Sequence, residues 1–425
     1  MATRSSPPER DVMRIVLDNG VRVLTEQVPD ASEAVVGLWL DAGSRFEELN
    51  ESGSTNLIQR LSLQNDGVDK SIDELAGEVQ LETGRDYASY SAQVPPDAAE
   101  ATLELLTEIA LRPNVLEAKI EPECAKILEE LRAVEHDPDF VLERMFLRSL
   151  WKGHGLCRPP KGRLLTVKDE TKLLDFKVKK LAKYHEMSHH PEALVLIAAG
   201  AVEHGEVQLL AEQRLGELTK PKKTLATTSP VEQRFVGIKN RPQFEGVRIR
   251  LGFPTCSASD EMMPAASVLN ALIVTRLEAL ANAGELPALE VSTKIEAFAD
   301  AGCIVVNLHA NVGEAQAAYE RVVAELRALS IDEVDSDELE RAKATLPSQI
   351  SAQLDSPRAR AESLAEFERY FGRVVPMSEQ TERLNAVTSK AVSRIASSWI
   401  QPYTLSVAAL GSLQGLSIKP PTSCW

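Results

Sequence analysis

Apolar strands and amphipathic helices follow one another along this chain in an order that is echoed after residue 230, and that echo limits the folds open to it. Met13 to Val28 alternates apolar and polar residues around Asp18-Asn19-Gly20, a hairpin signal. Ala34 to Ala42 (AVVGLWLDA) is a near-continuous apolar strand. Helices are expected over Gly53–Leu63 and Ile72–Val79, a strand over Tyr87–Val94, and an amphipathic helix over Asp97–Leu111. Two more helices, Glu117–Val134 and Phe140–Trp151, precede a long one over Glu170–His189 and a buried strand, Ala193–Ala199.

KPKKTLATTSP at 220–230 breaks the pattern with prolines, lysines and small polar residues, as an interdomain linker does. The second half restarts with a strand, Gly246–Phe253, and a helix, Met263–Ala283. A strand pair follows, Glu290–Ala297 and Cys303–Ala310, and then a helix, Ala315–Leu329. Two similar α/β lobes of an α+β protein fit this order and the length of 425 residues, which exceeds the usual ~50–200 of one domain. The expected division is an extension over 1–12, a first domain over 13–219, a linker over 220–232 and a second domain over 233–425.

The formal charge of −16 argues against nucleic acid as a partner, because that interaction runs on clustered Lys and Arg. It suits a basic partner such as a cationic peptide. The longest apolar run, 193–202, falls far short of the ~20 residues that span a bilayer, so membrane association is expected only through partners. Cys124, Cys157, Cys256, Cys303 and Cys424 lack CxxC spacing and are odd in number, which points to a reducing compartment and no cysteine metal site. The first 17 residues lack the apolar core of a secretory signal, and Glu9 and Asp11 disfavour a transit peptide; a targeting segment removed earlier remains open. No G-x-G-x-x-G, P-loop or nucleophile elbow is present.

One string carries the form of a zinc site. His185-Glu186-Met187-Ser188-His189 matches H-E-x-x-H, in which two histidines one turn apart hold zinc and the glutamate polarises water. The metzincin third ligand, six residues on, would be Val195, inside an apolar strand; Glu206 and Glu212 are the conceivable substitutes. Pro191 ends the helix near His189, so the second ligand would sit on its last turn. Histidines at a helix end meet the last carbonyls and the negative end of the dipole, and the match is expected to be incidental.

The segments LDNGVRVLTEQ (17–27), VVGLWLDAGSRFEE (35–48), GSTNLIQRL (53–61), RDYASYSAQV (85–94), ECAKILEELRAVE (123–135) and ALVLIAAGAVEHGEV (193–207) together resemble the pitrilysin-type, inverted-motif zinc metallopeptidases. Among these, the mitochondrial processing peptidase subunits and the core subunits of respiratory complex III are the nearest in kind. DELERAKATLPSQISAQLDSP (337–357) and FERYFGRVVP (367–376) extend the likeness over the second half. The resemblance implies two pitrilysin-like lobes, each a mainly antiparallel sheet packed by helices.

Active members of that family carry H-x-x-E-H on the helix after the AGSR-E segment, with a glutamate on a later helix as third ligand. Carried onto this chain, the first histidine falls on Asn56, the general base on Gln59 and the second histidine on Arg60. The third ligand falls on Glu130, and a supporting acid on Glu123. Asparagine is a poor zinc ligand, arginine keeps its charge, and glutamine cannot take a proton. No metal, cofactor or catalytic residue is therefore expected. Two placements stay open for Arg60: near Glu123 or Glu130, as a fixed positive charge where zinc sits in relatives, or simply pointing to solvent.

What the resemblance implies is a non-catalytic core subunit of ubiquinol–cytochrome c reductase. Such a subunit pairs with a second peptidase-like subunit and supports cytochrome b and cytochrome c1 from the matrix side of the mitochondrial inner membrane. The alternative is a processing-peptidase subunit that binds presequences. The glycine-rich loop of noncatalytic processing subunits has no counterpart at 275–290, where Gly284 stands alone. The acidic run Ile331–Glu340 could meet basic segments, although Asp335-Ser336-Asp337 reads as a helix cap. Cys424 and Trp425 could tuck into a partner.

Overall fold

The computed structural model describes residues 10–418 apart from 66, 76, 164, 168, 169, 173–175 and 353. The first half contains β1 (Asp11–Val16), β2 (Arg22–Gln27), β3 (Ala34–Leu40), α1 (Ser54–Ser62), α2 (Val68–Glu74), β4 (Glu78–Thr83) and β5 (Ala88–Val94). It continues with α3 (Ala99–Leu111), α4 (Glu117–Val134), α5 (Pro138–Leu150), β6 (Leu165–Val167), β7 (Glu170–Lys172), α6 (Val178–Ser188), β8 (Leu194–Gly200) and α7 (His204–Leu215). The second half holds β9 (Val236–Asn240), β10 (Val247–Thr255), α8 (Met263–Asn282), β11 (Glu290–Ala297), β12 (Gly302–Ala310) and α9 (Ala315–Ile331). It closes with α10 (Ser336–Ala352), α11 (Pro357–Phe371), α12 (Met377–Asn385), α13 (Ser389–Trp399) and β13 (Ser406–Gly411).

Two sheets share a five-strand order, to which the first adds β1 at its edge. The first runs β1-β2-β8-β3-β5-β4 and the second β9-β13-β10-β12-β11. In each, a single parallel pair (β2 with β8, β9 with β13) joins otherwise antiparallel strands. The echo in the sequence is thus a repeat of the fold, and the α+β, two-lobed architecture is the one observed.

The compact units do not follow a single cut at 220–232. One comprises the chain up to Glu129, Arg158–Thr227 and Ser351–Gln380; the other takes Glu130–Cys157, Thr228–Ile350 and the chain from Thr381. Each unit receives a helix from the opposite half of the sequence. Ala361, Leu364 and Ala365 of α11 cluster with Val35, Trp39, Val195 and Ile197 of the first sheet. Val141, Phe146 and Leu150 of α5 cluster with Val305, Ala408 and Leu410 of the second. This explains why β3 reads as continuous apolar sequence: Val36, Leu38 and Leu40 face the cluster with α3 and α7, while Val35 and Trp39 face α11. Of the expected N-terminal extension, residues 1–9 lie outside the described residues, and Asp11 and Val12 already pair with Gln27 and Glu26. Cys424 and Trp425 also lie outside them.

Two expected helices are corrected. Ile72–Val79 is α2 followed by an edge strand, because Val79 and Leu81 alternate with Glu78, Gln80 and Glu82, and β4 pairs along β5. The helix expected over Glu170–His189 begins only at Val178; 170–172 pairs antiparallel with 165–167, in a stretch where Thr166, Val167 and Thr171 favour extended backbone. The acidic run at 331–340 does cap a helix, as Asp335 Oδ1 accepts the N–H groups of Asp337 and Glu338. Among the described residues α8 is the one helix long and apolar enough to cross a membrane, yet Val268, Leu269, Leu272, Ile273 and Leu277 place it in the core of its own unit.

Candidate functional site

Helix α1 carries the three positions of the altered metal motif, and its placement begins with a buried carboxylate. Glu47 accepts the backbone N–H groups of Gly53, at 2.6 Å, and Thr55, at 2.9 Å, at the helix N-terminus. Gly53 is left-handed, and its Cα faces that of Gly162 so closely that a Cβ there would stand 2.9 Å away. The Thr55 hydroxyl meets Tyr184 of α6 at 2.8 Å. Burial pushes the Glu47 carboxyl up to about 7, opposed by the Gly53 and Thr55 donors and by the charge of Arg158.

From that end, Asn56, Gln59 and Arg60 project at i, i+3 and i+4. Asn56 sits at the rim, with its Nδ2 donating to Lys161 O at 3.5 Å. Gln59 is buried. Its Nε2 donates to Glu82 O at 3.1 Å and Ser89 O at 2.9 Å, while its Oε1 accepts the Thr83 hydroxyl. The two carbonyls on one side and the hydroxyl on the other fix the amide orientation. Arg60 Nη1 donates to Glu123 Oε1 at 2.9 Å. The second oxygen of Glu123 accepts Gln64 Nε2 at 2.6 Å and Lys126 Nζ at 3.1 Å. Glu123 is 4% exposed. Glu130 is half-buried one heptad further along α4.

This donor set does not fit a zinc ion. A guanidinium holds the inner carboxylate, the residue at the base position presents its N–H groups to two carbonyls, and an amide replaces an imidazole. No group of three or more His, Cys, Asp or Glu with metal-holding geometry occurs among the described residues. Gln64 and Lys126 escaped the sequence reading; Lys126 lies at i+3 from Glu123 on the same face of α4, whereas Gln64 reaches Glu123 from the turn that ends α1. Glu47 was visible as part of RFEE but its burial was not.

His185, Glu186 and His189 lie at the end of α6 and are not brought to Glu123. His185 Nε2 bonds Ala110 O at 2.8 Å, an oxygen that only accepts. His189 uses both nitrogens: Nε2 meets Tyr90 OH at 3.0 Å and Nδ1 meets Ser188 Oγ at 2.8 Å. The Ser188 hydroxyl proton has its own acceptor in Tyr184 O, so His189 donates from Nδ1 and accepts at Nε2. The two rings stack with centroids 4.0 Å apart. Burial lowers both imidazoles, His189 well below the usual histidine range, and keeps them neutral. Glu186 points to solvent. The string is a buried helix end, its ring nitrogens spent on local hydrogen bonds.

Residues 22–160 match the family described as Insulinase (Peptidase family M16), and residues 175–346 match the Peptidase M16 inactive domain. A protein of Mycobacterium leprae called an uncharacterized zinc protease is 24% identical over 412 residues, covering 93% of this chain and 91% of its own. The probable mitochondrial-processing peptidase subunit beta of Arabidopsis thaliana is 25% identical over 442 residues, covering 97% and 80%. Among solved structures, a protease from Helicobacter pylori superposes with a TM-score of 0.83 at 18% identity, covering 94% of this chain and 99% of the other. A chain of complex III2 from Candida albicans gives 0.83 at 17% identity, covering 96% and 97%. At those identities the superpositions speak for the fold.

Proposed function

The chain belongs to the M16 peptidase family, and from that premise we propose that it is a non-peptidase member that serves as a structural subunit beside a second M16 chain. The Arg60–Glu123 pair carries this reading, because it puts a permanent cation on the buried α4 carboxylate that faces the motif helix. Gln59 supports it independently, since an amide donating to two carbonyls cannot act as a general base. In this reading the chain binds no metal or cofactor of its own.

The specific role proposed is that of a core subunit of ubiquinol–cytochrome c reductase. It would sit peripherally on the matrix side of the mitochondrial inner membrane, against a second core subunit and the cytochrome b- and cytochrome c1-bearing part, and support electron transfer from ubiquinol to cytochrome c. The fold shared with the complex III2 chain supports this. The relatives called processing-peptidase and zinc-protease proteins favour a second reading, the non-catalytic half of an M16 peptidase pair.

Affinity capture of the tagged full chain from a membrane extract of the organism that makes it separates the two. Recovery of cytochromes b and c1 is expected for the first reading. Recovery instead of an M16 chain with an intact H-x-x-E-H, cleaving a presequence peptide when mixed with this one, would establish the second. One tightly held zinc per purified chain, found by elemental analysis, would overturn both.

A further inference from the structure

One groove of the first unit lies away from the α1 cluster and is lined by a single sign of charge. It encloses about 770 Å³ between the starts of α3 and α7 and the turn after β2, within the ~300–1,000 Å³ of ordinary ligand pockets. Leu103, Val207 and Leu210 form an apolar floor, and Leu209, 56% exposed, stands at its edge. Asp30, Asp97, Glu100, Glu203 and Glu206 line the walls, and no Lys, Arg or His does. Glu203 receives the Gln27 amide at 3.0 Å; the other four have no ion-pair partner among the described residues.

Two helices begin here, and each N-terminus supplies only about half a positive charge. Five carboxylates therefore leave the groove strongly negative. A bare acidic surface would attract any cation, but an apolar floor beneath it adds a requirement for buried side chains. A second copy of the chain is a poor occupant, since its charge is −16 and it presents the same acids.

We propose that this groove docks a cationic amphipathic segment of a partner protein, its apolar side chains on Leu103, Val207 and Leu210 and its Lys or Arg residues against the acidic walls. The proposal does not depend on the role assigned to the α1 cluster, and the same protein without any assembly partner suffices to test it.

The probe is a fluorescent leucine–lysine amphipathic helical peptide titrated into the full chain and read by anisotropy. Its controls are a leucine–glutamate counterpart and a lysine peptide of the same charge lacking the apolar face. The expected result is binding of the first peptide alone, weakened by salt and weakened at least tenfold by E100K/E206K, a variant that stays folded by circular dichroism although it loses first-turn charge–dipole support in α3 and α7. The control pair E261K/E333K, equally exposed on the other unit, should leave binding within twofold. Equal loss in both variants would show attraction by net charge and overturn the proposal. So would undiminished binding in E100K/E206K, or tight binding of the lysine peptide lacking an apolar face. Self-association of the chain abolished by E100K/E206K would assign the groove to a second copy instead.

Discussion

Arg60 Nη1 donates to Glu123 Oε1 across 2.9 Å, from a guanidinium one-quarter exposed to a carboxylate almost wholly buried. That difference in burial makes the two halves of the pair unequal. Replacing Arg60 by Ala leaves a buried anion with only Gln64 and Lys126 as donors, and is expected to cost about 1–3 kcal/mol. Replacing Glu123 by Ala leaves an arginine that is one-quarter exposed and can reach water, and should cost about 1 kcal/mol or less. Urea unfolding of the two variants measures this, and a larger loss for E123A than for R60A would contradict the ordering.

Gln59 permits a sharper test, namely whether its position can hold a carboxylate. Q59E would set a buried carboxylate against Glu82 O and Ser89 O, which are acceptors only. We expect a loss of about 2–3 kcal/mol at pH 8, where the new acid is ionised, shrinking in mildly acidic buffer as it takes a proton and regains one donor. Thermal melts of Q59E against the parent across that range decide it. A pH-independent difference would mean that the carboxylate has found other partners.

The fold was largely legible in the sequence, and the site only in part. Strand β3 and helices α3, α4, α8 and α9 came within about two residues, because their apolar periods are long and consistent with one element type. β4 was lost because Ile72, Leu75 and Val79 mimic a helical stripe over a short window, and only pairing with β5 resolves it. The exchange of α5 and α11 between units has no local signature, since an amphipathic helix does not encode which sheet covers it. At the site, the residue types at Asn56, Gln59 and Arg60 were enough to expect a donor set poorly suited to zinc. Two of the three partners of Gln59 on β4 and β5, Glu82 O and Ser89 O, were out of reach, because they are backbone carbonyls and carry no residue identity.

The stacked pair His185 and His189 predicts acid sensitivity. Burial depresses both imidazoles in the folded chain below the usual value of 6.5. The stability they contribute is therefore present above that value and lost as pH falls below it, because the unfolded chain gains protons that the folded chain refuses. The melting temperature of the parent should drop between pH 7 and 5. H185Q/H189Q, which cannot charge, should start less stable and lose less over the same interval. Parallel curves for variant and parent would remove the histidines as the cause.

Glu47 acts in the opposite direction, so the two effects can be separated. Its folded carboxyl is raised to about 7 by burial, whereas an unfolded glutamate keeps its ordinary value of 4.5. The contribution of a raised carboxyl is fully present below 4.5 and is lost as pH climbs to about 7, where the folded chain must also give up its proton; beyond that it is constant. E47Q keeps an oxygen for the Gly53 and Thr55 N–H groups but has no proton to lose. In the H185Q/H189Q background, stability is expected to fall with rising pH across 4.5–7 when Glu47 is present. Adding E47Q should flatten that slope, and E47Q should then match or exceed its parent above pH 7.5. If the slope survives E47Q, another buried acid is responsible, and Glu47 caps α1 as an ordinary carboxylate.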